Sequence, residues 1–316
     1  MKDLITPSVD ASAVSVSKSS AVVSRAKSNI YLGTYSWTDH IFPLVDYLFQ
    51  TTSNPPIPSF LVVLMSIFVY IQIALTSIWP AQDFWLYLLF SDNTQMISAF
   101  KYIMNIFWFL PVTELDIDLT PMFVGLFLVF LFTIASIVFE IGYYQLNHRF
   151  AKWSMYIVRF LCHYVTQVMV HPYAAFTGNS LYLLINFSTG QFWGFFIMGC
   201  IMTLGNILIF AATSLFCANS TIFDINLTST FNPKPLILTL TINAACIIAN
   251  YIFKMFPLWT ILVLQVLHAV FCCFSFIKIL LFIDFHTVFG NAIYIYISFF
   301  LISSNGCYFD YYLLRR

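Results

Sequence analysis

Charged side chains divide the chain into long apolar runs. Residues 47–82, 119–139, 160–223, 235–253, 255–277 and 285–309 hold no Asp, Glu, Lys or Arg. A spanning helix needs about 20 mostly apolar residues, because the hydrocarbon core is about 30 Å thick and offers no partner to an unpaired backbone group. Each run suffices for one crossing and the third for two. The pattern therefore predicts seven spans, at 59–79, 119–140, 155–173, 192–216, 236–253, 256–277 and 285–303. An eighth segment, 97–113, is interrupted by Lys101 and Pro111 and is either a short span or a re-entrant helix. The residue before a proline is pushed out of helical conformation, so this helix should end at Leu110. The expected fold is all-α, a polytopic transmembrane bundle of seven to eight spans with a disordered amino-terminal tail.

That tail, residues 1–56, differs in kind from the membrane region, 57–316. It lacks the uninterrupted apolar core of about 7–15 residues that a secretory signal requires, and Asp3 and Asp10 do not suit a mitochondrial presequence. It buries too little apolar surface to offset its ordering entropy, and Ser15, Ser17, Ser19, Ser20, Ser24 and Ser28 beside Lys18, Arg25 and Lys27 are candidate phosphate acceptors. Lys2, Lys18, Arg25 and Lys27 precede the first span, and Arg149 and Lys152 follow the 119–140 span. The stretch 81–118 carries Asp83, Asp92, Glu114, Asp116 and Asp118 against Lys101 alone. Because short basic loops stay cytoplasmic, the amino terminus is expected inside, in a plasma or endomembrane protein.

Composition agrees with the pattern. The 316 residues are 60% hydrophobic, 19% aromatic and 8% charged, where soluble domains carry roughly a quarter charged residues. A soluble domain is excluded. Lys and Arg number 13 and Asp and Glu 13, so no net charge gathers nucleic acid. The expected partners are the lipid bilayer and other membrane helices, including a second copy of the chain. No phosphate loop, nucleophile elbow, HExxH helix or dinucleotide fingerprint occurs, so neither enzyme activity nor a cofactor is expected.

Polar residues inside the expected spans are the candidate sites, since lipid penalises a buried charge by at least about 2.5 kcal/mol. Glu140, where one span meets the basic loop, and Arg159, one turn into the next, are a candidate pair; the alternative is that both reach to the interface. His163 and His171 are eight residues apart, which gives neither the i,i+4 zinc spacing nor a common face, and His268 and His286 stand alone. Gln72, Asn206, Asn243, Asn250 and Gln265 are expected to bond between helices. Gly190 and Gly194 form a GxxxG, and with Gly199 and Gly205 they thin one helix face for close packing within the chain or in a dimer. Trp79, Trp85, Trp108, Trp153, Trp193 and Trp259 fall near span ends, as interfacial anchors do. The seven cysteines show no CxxC and mostly lie within apolar runs. The sequons at Asn186, Asn219 and Asn226 lie on both sides of the 192–216 span and cannot all face one lumen.

Residues 101–115, KYIMNIFWFLPVTEL, open on a lysine and run through an aromatic helix to Leu-Pro-Val-x-Glu-Leu. This segment resembles the tiny-macrocysts-like membrane proteins of single-celled eukaryotes and the membrane regions that precede PAS and nucleotide-cyclase domains. The linker Phe231-Asn232-Pro233-Lys234-Pro235 is similar in flavour, and the likeness in layout covers about residues 45–250. It rests on no catalytic motif. What it implies is a membrane-embedded sensory or scaffolding bundle, with no cyclase activity in these residues. The competing expectation is a small-solute or ion transporter or channel, because Pro111, Pro172, Pro233, Pro235 and Pro257 suggest the broken helices of carriers. A seven-helix receptor would show an Asp-Arg-Tyr-like triplet and an Asn-Pro-x-x-Tyr, and neither occurs.

Overall fold

A computed structural model describes residues 58–79, 94–109, 118–147, 150–187, 190–218, 234–253, 255–256 and parts of 263–271. The expected tail 1–56, the expected span 285–303 and most of 256–277 lie outside the described residues. The described part is helical throughout. Its elements are α1 (Ser59–Ile78), α2 (Thr94–Trp108), α3 (Thr120–Asn147), α4 (Lys152–Arg159), a π-helical segment (Phe160–Val165), α5 (Thr166–Phe187), α6 (Gly190–Ala218) and α7 (Lys234–Phe253). Three stretches, Thr120–Asn147, Gly190–Leu215 and Leu236–Phe253, are long and apolar enough to cross a membrane, and α1 carries a shorter apolar stretch, Leu64–Thr76. The chain is an integral membrane protein by that measure.

α5 is the centre. Every residue from Thr166 to Ser180 is buried, so no side of this helix meets the outside over four turns. α6 runs antiparallel to it: Thr177 meets Gly199 and Thr203, while Thr166, earlier on α5, meets Asn206, later on α6. α7 packs on α5 where Gly178 approaches Tyr251 and Ile248. α3 is peripheral. Its buried residues Leu126, Phe130, Thr133 and Glu140 recur at helical spacing and form one narrow stripe. Only 17% of its apolar window is covered by protein, against 44% for α7, so Leu128, Leu131, Phe132 and Phe139 are left for lipid or for a partner helix.

Several expected boundaries move. α3 runs to Asn147, so Glu140 lies two turns inside a helix rather than at its junction with a loop. The expected 155–173 span is part of one helical rod from Lys152 to Phe187, in which Pro172 lies without a break. Burial explains the continuity, because packing on all sides holds the turn that the proline weakens. Asn186 is correspondingly in the last turn of α5 rather than in a loop, and its side-chain amide donates to the Tyr182 carbonyl at 2.9 Å.

α2 ends at Trp108, earlier than the proline rule required, and Leu110 itself lies outside the described residues. Phe109 takes a φ of 54°, in the left-handed region where a non-glycine residue is disfavoured by about 1–2 kcal/mol. Its ring is stacked on Phe68 at 5.4 Å, and Phe68 also meets Phe107 at 4.7 Å. α2 therefore rests on α1, with Met104 and Trp108 turned into the core and Tyr102 and Ile106 exposed.

Candidate functional site

The central helix carries an unusual polar load for its depth. Thr166, Gln167, His171, Thr177, Asn179 and Ser180 are all buried there. One group ties α5 to its neighbours. The Tyr173 hydroxyl donates to the Leu126 carbonyl of α3 at 3.2 Å, the Thr177 and Thr203 hydroxyls bond at 2.9 Å, and the Asn206 amide donates to the Thr166 carbonyl at 2.7 Å. Thr166, Thr177 and Ser180 also donate to carbonyls of their own helix, which satisfies hydroxyls that lipid could not. Such interhelical bonds each contribute about 0.6–2 kcal/mol.

A second group is left open. Both ring nitrogens of His171 and the Gln167 side-chain nitrogen are buried without a hydrogen-bond partner, as are both side-chain polar atoms of Asn250 on α7. Asn250 thus departs from the expectation of an interhelical bond. Asn243 and Asn206 match it, and His268 is not alone, since its Nε2 lies 3.1 Å from the Asn243 side-chain oxygen. Gln265 and His286 lie outside the described residues.

Glu140 and Arg159 are both buried, at 0% and 4% exposure. One Glu140 oxygen, Oε2, accepts the Ala151 amide at 3.3 Å, while Oε1 is buried without a hydrogen-bond partner. Ala151 is the residue that caps α4, so the carboxylate meets the positive end of that helix, an arrangement that stabilises an anion. Sequence spacing singled out the two charges but missed the amide, because a backbone donor leaves no mark in a residue pattern. Arg159 closes α4, and the π-helical segment follows it directly. There the Thr166 amide bonds to the Leu161 carbonyl, five residues back, and the wider turn shifts the register between Arg159 and α5. The His163 ring stands edge-on to Tyr164 at 5.0 Å.

The glycines separate into two sets. A Cβ at Gly190 or Gly194 would meet nothing within 4 Å, so the GxxxG face is open among the described residues. At Gly199 a Cβ would lie 2.8 Å from the Thr177 hydroxyl oxygen and 3.2 Å from its Cα, and at Gly205 it would lie 2.8 Å from the Phe130 ring. α6 therefore approaches α5 and α3 through its middle rather than its start.

The tryptophans separate likewise. Trp153 and Trp193 are exposed, as anchors should be, whereas Trp79 and Trp108 are core residues. Their rings meet at 4.8 Å, and Trp79 meets Tyr251 at the same distance, joining α1, α2 and α7. Proximity to a span end did not distinguish an anchor from an inward-facing ring. Among the described residues Cys162 is buried and Cys200 and Cys246 are half-buried, and no group of three or more His, Cys, Asp or Glu there could hold a metal ion.

Comparison of the chain with family models, with curated proteins and with solved structures yields no match.

Proposed function

We propose that the protein is a sensory or scaffold membrane region, a bundle that holds its helices in a defined arrangement and performs no catalysis itself. One observation carries this reading: the Thr166, Tyr173 and Thr177 bonds clamp the central helix to α3 and α6, so these polar groups fasten the bundle rather than line a charged path through it. The resemblance of residues 101–115 to tiny-macrocysts-like membrane regions points the same way. On this reading the full chain makes seven to eight crossings of a plasma or endomembrane, and residues 1–56 form a disordered cytoplasmic tail. The exposed apolar residues of α3 and the open Gly190 and Gly194 face meet lipid, a second copy or other membrane helices.

A carrier for a small solute or ion is the second reading, favoured by the unpartnered His171 beside Pro172 in the buried helix. Proton and potassium flux into vesicles reconstituted with the full chain separates the two. The sensory reading expects no flux above protein-free vesicles; flux that disappears in His171→Ala overturns it. A carboxyl-terminal reporter read from both sides of the membrane fixes the parity of crossings, and protease added to sealed cells should leave the tail intact.

A further inference from the structure

Helical periodicity sorts the polar residues of α5 into two sides. At about 100° per residue, Gln167, His171, Ala174 and Gly178 fall within about 60° of one another. Thr166, Tyr173 and Thr177, which bond to α3 and α6, lie roughly 100° away from that stripe. Gly178 identifies what the stripe faces: a Cβ there would lie 2.5 Å from the Tyr251 ring and 3.2 Å from the Ile248 Cα of α7. The open side chains are therefore on the α7 side of the central helix, two to three turns before the point where α7 packs against Gly178.

Three side-chain atoms there lack partners, namely Gln167 Nε2 and both His171 ring nitrogens, and the two residues are 4% and 0% exposed. A fourth group comes from the backbone. Pro172 has no amide hydrogen, so the Val168 carbonyl loses its usual donor within the same turn. Buried polar atoms are almost always satisfied, and a proline within a membrane helix is commonly accommodated by ordered water. A neutral imidazole offers one donor and one acceptor, the glutamine nitrogen adds a donor, and the carbonyl adds an acceptor. No carboxylate or cation belongs to the stripe, so an ion there has no counter-charge.

We propose that Gln167, His171 and the Val168 carbonyl form a buried site that holds an internal water molecule between α5 and α7. The water accepts from Gln167 Nε2 and donates to a His171 ring nitrogen and to the Val168 carbonyl, so that it takes over the bond that Pro172 cannot make. The site stands whether the bundle is sensory or a carrier.

The test uses the full chain in phosphatidylcholine nanodiscs. The infrared difference between ordinary and heavy-oxygen water should show a band from a buried O–H in the wild type. Gln167→Leu and His171→Leu should each remove that band, while His171→Asn, which keeps a donor and an acceptor, should retain it. Each leucine variant should lower the unfolding midpoint, by about 2–4 °C for each lost bond, and the double variant should lose less than the sum. Absence of the band in the wild type overturns the proposal even if the leucine variants fail to fold. Midpoints that rise additively in the leucine variants also overturn it, since they mean empty orphaned atoms. A larger solute retained by the wild type and lost from both leucine variants in native mass spectrometry overturns water as the occupant.

Discussion

The Gln72 side-chain nitrogen of α1 donates to the Phe107 carbonyl of α2 at 2.7 Å, across 35 residues of sequence. Phe107 lies in the last turn of α2, where helical carbonyls have no partner of their own. A side chain from a neighbouring helix thus closes the helix that leads into the Leu-Pro-Val-x-Glu-Leu segment. Its own oxygen, Oε1, is buried without a partner, so this contact uses the donor half of the amide alone.

Gln72→Leu should therefore destabilise the protein by about 1–3 kcal/mol, because the Phe107 carbonyl is left unsatisfied. Thermal unfolding in detergent reads the loss, and an unchanged midpoint would show that the bond contributes nothing net. Phe109→Val should cost about 1–2 kcal/mol in the same assay, since a β-branched residue is poorly suited to a φ of 54°. Phe109→Gly relieves the backbone and loses the stack on Phe68, so it should be the milder change.

Glu140 offers a test of whether the two deep charges act together. Glu140→Gln weakens the bond to the Ala151 amide and removes an anion from the start of α4. If Glu140 also supports Arg159, the single change should destabilise more than the double change with Arg159→Leu, because removing one partner strands the other. Additive losses across the double-mutant cycle would leave the Ala151 amide as the stabilising contact and exclude coupling between the charges.

The glycines of α6 should respond in opposite ways. Gly199→Ala forces a methyl against the Thr177 backbone and should cost about 1–3 kcal/mol. Gly194→Ala meets open space and should be neutral or stabilising by up to about 1 kcal/mol, through helix propensity. If the Gly190 and Gly194 face packs against a second copy, Gly194→Leu should shift the protein from dimer to monomer in sedimentation. A monomer in both forms would rule that interface out.

Asp118, exposed just before α3, accepts the Thr120 amide at 2.9 Å, and the backbone and side-chain hydrogen bonds to Thr120 hold its carboxyl below the ordinary value of 3.8. A depressed folded value means the bond's contribution is complete above the unfolded value and is lost as pH falls through the folded one. The protection of the Thr120 amide relative to its intrinsic exchange rate should accordingly be constant from neutral pH downward and fall only below about pH 3.8, whereas Asp118→Asn should show no such step. A transition centred above 3.8 would contradict the contact.

The sequence by itself determined the class of the protein and the approximate place of the helices among its described residues. Long uncharged runs have few solutions other than helices in lipid, because every backbone group must find its partner within its own segment. Glu140 and Arg159 were legible as candidates for the same reason, since each falls within an expected span, where charges are rare. Only the tertiary structure decided which helix is central. α3 and α6 are the more uniformly apolar, yet the polar α5 is the one enclosed, because hydroxyls and amides are stabilised by bonding to neighbouring helices and apolar faces are equally content against lipid. Residue type likewise did not reveal that Trp79 and Trp108 point inward, that Gly199 packs while Gly194 is open, or that Gln72 closes α2 and Ala151 receives Glu140. Those outcomes depend on which faces meet across distant parts of the chain, and on backbone groups that every residue shares and that no sequence pattern can single out.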